Sequence, residues 1–211
     1  MTEQRQVIAT LLAEIDRYIA ALDFAGMADV RAGISRWSGP ANQSVVPALL
    51  PPCRYLNSAL EIVKDRRLAD AIAAALPLLK WVSYDAYPRA DVGEAFAEGH
   101  AFASVIGEEG FHAAEDFDLG LFIIEPNVDY PDRHHAAPEL YAPLTGPHGW
   151  RFLPAQAYQW INADIPVWNE AWAPHATKTG DLPFLCIYCW TKNVNLPAKI
   201  IFSPEASKDQ K

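Results

Sequence analysis

This 211-residue chain is poor in positive charge and has no long hydrophobic run. Lysine and arginine together number 17 against 26 acidic residues, a formal charge of −9. Surfaces that hold nucleic acid or anionic lipid rest on clustered cations, so neither partner is expected. No stretch reaches the roughly 18 apolar residues of a membrane span, so no membrane partner is expected either. The N-terminal run Thr2-Glu3-Gln4-Arg5-Gln6 opens a charged helix and not a secretory leader, which makes the cytoplasm the expected location. Cysteine is scarce, with 3 in all. Cys186-Ile187-Tyr188-Cys189 has the spacing of a redox pair, but it lies in Phe184 to Trp190, which reads as a buried strand. Residues three apart in a strand face opposite sides, so two inert buried thiols are expected. Apolar residues are plentiful, at 51% against 20% charged, enough for a real core. Only the last few residues read as disordered.

Length alone does not separate one large domain from a core with an appendage. Within Glu3 to Asp23, Val7, Ile8, Leu11, Leu12, Ile15, Tyr18, Ile19 and Leu22 recur three and four apart and predict a helix with one apolar stripe. Further helices are expected over Ala28 to Trp37, Tyr55 to Lys64 and Leu68 to Leu79, with Ser38-Gly39-Pro40 and Pro47 through Pro52 as breaks. After Lys80 the pattern becomes short aromatic and β-branched runs divided by turn residues. Strands are predicted over Ala101 to Ile106, Phe117 to Glu125, Pro138 to Thr145, Gly149 to Leu153, Tyr158 to Asn162, Trp168 to Glu170, His175 to Thr177, Leu182 to Thr191 and Lys199 to Phe202. Many short strands suggest a sandwich or barrel. The helical stripes need a surface to bury, so residues 1–80 are expected to pack on a barrel formed by 81–211 as one unit. The helical layer and the Pro47 to Pro52 stretch offer a surface that a homo-oligomer would use.

The stretch with chemical content runs from Tyr130 to Tyr141, with His175 downstream in Trp172-Ala173-Pro174-His175. If Arg133 to Tyr141 is extended, Arg133, His135, Glu139 and Tyr141 share one face. A carboxylate and an imidazole on one strand, joined by a second imidazole from a neighbour, have the composition of an open site for a divalent metal. The alternative is a polar surface pair His134-His135 and a solvated Glu139. His100, His112 and His148 have no carboxylate at ligand spacing and read as surface or supporting histidines. Glu108-Glu109 and Glu115-Asp116-Asp118 read as a solvated acidic face.

Gly120 through Pro131, followed by His135-x-x-x-Glu139-x-Tyr141, Pro143-Leu144-Thr145-Gly146 and Trp172-Ala173-Pro174-His175-Ala176, resembles the cupin dimethylsulfoniopropionate (DMSP) lyases. The likeness spans about Phe102 to Trp190. It implies a mainly β fold with α: a cupin double-stranded β-helix, or jelly-roll, barrel behind an N-terminal helical layer. It implies one divalent transition metal, Zn, Fe or Mn, held by His135, Glu139 and His175, and no organic cofactor. By the same resemblance Tyr141 is the base and Tyr130 a second active-site tyrosine. The implied reaction is β-elimination of DMSP to dimethyl sulfide and acrylate.

This chemistry suits the residues. Charge that develops when a proton leaves the carbon next to a carboxylate is accepted by a metal acting as a Lewis acid. A phenol titrates near pH 10, so a tyrosine base needs a cation beside it. A small zwitterionic or anionic substrate with a sulfonium is suited to aromatic faces, for which Trp160, Trp168, Trp172, Tyr188 and Trp190 are candidates. Arg133 departs from the cupin pattern, which commonly has histidine two residues before the first ligand. Arginine does not ligate metals, so Arg133 is expected either to clamp a substrate carboxylate or to sit on an exposed rim. A cation in the mouth also motivates another reading: an isomerase, dioxygenase or different lyase acting on another small carboxylate, with DMSP cleavage only promiscuous. A cupin that binds without turnover is the third reading, and the paired tyrosines weigh against it.

Overall fold

A computed structural model describes residues 3–39 and 44–202. Thr2, Pro40 and the C-terminal residues expected to be disordered lie outside that range. Among the described residues five α-helices come first: α1 Glu3–Ala20, α2 Met27–Trp37, α3 Leu56–Ile62, α4 Arg66–Ala75 and α5 Arg89–Glu98. Asp65 caps α4, its carboxylate accepting from the Leu68 amide at 3.1 Å. Ten strands follow: β1 His100–Ile106, β2 Asp118–Ile124, β3 Asp129–His134, β4 Glu139–Pro143, β5 His148–Arg151, β6 Gln159–Ile161, β7 Val167–Asn169, β8 His175–Lys178, β9 Phe184–Trp190 and β10 Lys199–Ile200.

The strands form two antiparallel sheets of five, ordered β1-β2-β9-β4-β7 and β10-β3-β8-β5-β6. They make a cupin β-barrel with helices layered on the first sheet. Strand alternation divides the core. Leu119, Leu121 and Ile123 of β2, Leu140 and Ala142 of β4, and Leu185, Ile187 and Cys189 of β9 pack with Ile8, Leu11, Ile15, Ile19, Leu68 and Ile72 of the helices. The intervening Phe122, Ile124, Tyr141, Phe184, Cys186 and Tyr188 form a second cluster inside the barrel. Cys186 and Cys189 thus lie on opposite faces, both buried and unbonded. Tyr18 of α1 donates to Asp164 at 2.9 Å and ties the helical layer to a barrel loop.

Two elements were not anticipated. Helix α5 was hidden by Gly93, whose φ of 77° breaks the helix at its middle and blurs its amphipathic stripe. Strand β3 was hidden by its composition, Asp-Tyr-Pro-Asp-Arg-His, which carries no apolar alternation.

Candidate active site

The stretch from Arg133 to Tyr141 is not one extended strand. It leaves the second sheet at the end of β3, turns through residues 135–138 and enters the first sheet as β4. His135, just past the end of β3, and Glu139 at the start of β4 are therefore presented from different sheets, and His175, opening β8, lies opposite Arg133. His135 Nε2 is 2.9 Å and His175 Nε2 is 3.4 Å from Glu139 Oε2. The three potential ligand atoms lie within 4.8 Å of one another, and all three residues are buried. This corrects the reading of Glu139 as a solvated charge. His134 turns outward and packs on Trp172, their ring centroids 5.4 Å apart.

The hydrogen bonds orient both imidazoles. His135 Nδ1 is 2.7 Å from the Ala137 carbonyl and His175 Nδ1 is 2.9 Å from that of Ala173. A carbonyl only accepts, so both Nδ1 atoms carry hydrogen and both Nε2 atoms present lone pairs toward Glu139. Trp190 Nε1 donates to Glu139 Oε1 at 2.7 Å, leaving Oε2 for the imidazoles. Three lone pairs converge on one buried point, and His175 Nε2 has no hydrogen-bond partner. Such a donor set repels itself unless a cation or proton lies between its members, and imidazole with carboxylate suits a divalent transition metal.

Beside this group is a cavity of about 140 Å³ lined by Tyr84, Phe102, Asp118, Phe122, Tyr130, Glu139, Tyr141, Tyr188, Trp190 and Val194. The sequence model of the dimethylsulfoniopropionate lyase family matches residues 32–186. The chain belongs to the DMSP lyase family. The DMSP lyase DddQ of Ruegeria pomeroyi is 26% identical over 165 residues, 77% of this chain and 80% of the relative. The crystal structure of DddQ from that organism superposes with a TM-score of 0.72 at 23% identity, covering 94% of this chain and 97% of that one. A crystal structure from work on the DMSP lyases RdDddP and RnDddQII superposes at 0.70 with 20% identity, covering 95% of this chain and all of that one.

In this DMSP lyase family member Arg133 is fully buried, which overturns the exposed-rim expectation. The register of β3 against β8 shifts between Tyr130 and Arg133, and this bulge turns both side chains inward although they are three apart. The guanidinium lies 3.3 Å from the centroid of the Tyr130 ring, and its Nη2 donates to the Tyr141 hydroxyl at 2.9 Å. It sits off the cavity wall, with Nη1 reaching the Pro131 carbonyl at 3.4 Å, Nη2 reaching Thr177 Oγ1 at 3.5 Å and Nε unpartnered. Among the described residues no carboxylate forms an ion pair with it. A buried cation so placed favours negative charge on its phenol neighbours. Above Tyr130 the column continues: Phe96 of α5 stacks on it at 3.9 Å, and His100 stacks on Phe96 at 4.1 Å.

Burial pushes the Tyr141 phenol well above its usual range, and Arg133 pulls the other way. Tyr130 is pushed up to about 12 by burial, against the pull of Arg133 and a hydrogen bond with Tyr87, 3.1 Å away. Burial would raise Glu139 too, but a proton shared with the His135 and His175 Nε2 atoms outweighs it and holds the carboxyl well below the ordinary range, the same stabilisation that a cation between the three would give. Burial and the nearby Arg133 lower His175 to about 4, which keeps the imidazole neutral near pH 7.

The expected aromatics separate in space. Tyr188 and Trp190 line the cavity. Trp168 instead packs against Phe24, 5.8 Å away on the helical side, and its Nε1 donates to Glu170 at 2.8 Å. Trp172 is 49% exposed and Trp160 is 56% exposed. His100, His112 and His148 are all buried, which corrects the surface reading. His100 supports the column, its Nε2 accepting from the Tyr84 amide at 2.9 Å. Asp118 was grouped with a solvated acidic run, yet it lines the cavity. The alternation of β2 carries the missed signal: Leu119, Leu121 and Ile123 belong to one face, which places Asp118, Gly120 and Phe122 on the other.

Proposed function

We propose that this chain cleaves DMSP by β-elimination to dimethyl sulfide and acrylate, with Tyr141 as the base. The observation that carries the reading is the position of Tyr141: it lines the cavity two residues from Glu139, and its hydroxyl lies 2.9 Å from Arg133 Nη2. His135 Nε2, Glu139 Oε2 and His175 Nε2 would hold the divalent metal. Bound there, a Zn, Fe or Mn ion would supply positive charge to the substrate carboxylate and to the neighbouring phenolate.

The remaining roles fall to the chain. Tyr141 Oη takes the proton from the carbon next to the carboxylate. The released electron pair forms the carbon–carbon double bond, and the carbon–sulfur bond breaks with its pair going to sulfur. Arg133 stabilises the phenolate before the proton arrives and pays for part of the burial that would otherwise keep Tyr141 neutral. Tyr130 positions that guanidinium from beneath, and Trp190 fixes the Glu139 carboxylate so that its other oxygen faces the imidazoles. Two tyrosines from opposite sheets thus share one cation. The reading of a different small carboxylate drew on an arginine in the mouth, and Arg133 lies behind the tyrosines instead.

Purified protein restored with Zn, Fe or Mn should release dimethyl sulfide and acrylate from DMSP. Tyr141→Phe should abolish the release while metal content, measured by elemental analysis, is kept. Absence of elimination with every metal across the neutral pH range would overturn the assignment.

A further inference from the structure

The cavity has a second pole. Asp118 opens β2, opposite Trp190 of β9, which in turn is opposite Glu139 of β4. Directly paired residues point to the same face, so the two carboxylates stand on one wall with Trp190 between them, their backbones about 10 Å apart by two strand spacings. Gly120 opens the adjoining row, where a Cβ would meet the Ala103 carbonyl oxygen at 2.1 Å. Tyr188 lies opposite Gly120, and its hydroxyl donates to Asp118 Oδ1 at 3.0 Å while standing 2.9 Å from Ser104 Oγ. Among the described residues no ion pair reaches Asp118. A half-buried carboxylate walled by Phe102, Tyr188 and Trp190, and held among the described residues by hydroxyls alone, carries a desolvation cost that those hydrogen bonds offset only in part and that a cationic guest would offset further.

The guest must suit both walls and anion. An alkylated onium centre has no N–H to satisfy, presents diffuse positive charge to aromatic faces and pairs with a carboxylate without a directional bond. Resting on the elimination reading, we propose that Asp118 is the counter-charge for the onium end of the substrate, so that the cavity selects small onium carboxylates over neutral-tailed acids of the same shape. The role is confined to binding. As the carbon–sulfur bond breaks, its electron pair neutralises the sulfur, and the attraction to Asp118 fades toward the transition state. An interaction stronger in the ground state than in the transition state lowers KM without raising kcat.

The test uses the metal-loaded full chain and two unreactive probes, trimethylammoniopropionate and its neutral isostere bearing a tert-butyl group, titrated by calorimetry. Wild type should prefer the onium probe by about tenfold, the equivalent of about 1.4 kcal/mol. Asp118→Asn should erase the preference, and Asp118→Glu should keep most of it. With DMSP, Asp118→Asn should raise KM about tenfold without lowering kcat. A preference unchanged in Asp118→Asn, or a loss confined to kcat, would overturn the proposal. Should Asp118→Asn fail to fold, Tyr188→Phe keeps the charge and removes a hydrogen bond from it. Retained preference there supports the assignment, and its loss sinks it. The two readings separate cleanly: onium preference that depends on Asp118 without elimination of DMSP removes the reaction and leaves this site. Elimination with no such preference does the reverse.

Discussion

The two faces of the β1-β2-β9-β4 sheet are built from the same strands and do opposite things. Toward the helices, every second residue is aliphatic or a thiol, and the packing partners are helical stripes of isoleucine and leucine. Toward the barrel interior, the intervening residues include the aromatic and ionisable side chains Asp118, Tyr188, Trp190, Glu139 and Tyr141. The first face supplies stability without directional bonds. The second buries charge, which weakens a fold unless partners are supplied, and it leaves His175 Nε2 and Arg133 Nε without any. A sheet of this kind separates the two tasks by one residue of register, so each face should fail in its own currency when it is damaged.

The largest expected effect is on the chemical face. Tyr141→Phe should lower kcat by about a hundredfold to ten-thousandfold, the span of a positioned acid or base, with a far smaller change in thermal stability. A variant that loses stability in proportion to activity would break the contrast. Next comes the packing face. Leu121→Ala, fully buried against the helices, should cost about 2–5 kcal/mol in denaturant unfolding while kcat per folded molecule stays near wild type. A matching fall in kcat would mean that the two faces are coupled through the strand.

A pH series sharpens the comparison inside the barrel. Burial pushes Asp118 up to about 6, against hydrogen bonds from Ser104 and Tyr188. Tyr188, Ser104 and Trp190 face it from the neighbouring strands, with Glu139 beyond Trp190. Below that value the acid is neutral and offers no counter-charge, so affinity for the onium probe should rise by up to about tenfold between about pH 5 and about pH 7. The tert-butyl isostere serves as the reference, because its ratio to the onium probe cancels the titration of groups at the carboxylate end. A constant ratio over that range would remove Asp118 from the account. The smallest effect lies in the helical layer: Asp65→Ala removes the α4 cap and should cost about 1 kcal/mol with no change in KM.

Much of this division was legible before any coordinates. The helical stripe of α1 is legible directly, and so are the apolar runs that become β2, β4 and β9, but runs apolar on both faces do not say which face meets the helices. The convergence of His135, Glu139 and His175 was legible as a composition, but its cause was not. Those residues meet across two sheets, with β3 and β4 joined by a turn. Composition hid four features. Pro131 and the charges of Asp129–His134 disguised a strand, and the bulge that turns Tyr130 and Arg133 to the same side leaves no mark in hydropathy. Arg133 was read by the ordinary habit of arginine, which is exposure, whereas two phenols and a backbone carbonyl suffice to keep this one inside. Asp118 sits in an acidic run whose charge suggests solvent, and only the alternation of β2 places it inside.

The stacked column from His100 through Phe96 and Tyr130 to Arg133 has a consequence for the local dielectric. Coulomb attraction between a guanidinium and a phenolate weakens in proportion to the permittivity around them, and water is the medium that would raise it. Phe96 belongs to α5, outside both sheets, and it is the ring that roofs Tyr130. The strength with which Arg133 favours the Tyr141 phenolate is therefore set in part by how closely that helix is seated, and a helix without a single ionisable contact to Tyr141 acts on its basicity as an insulator.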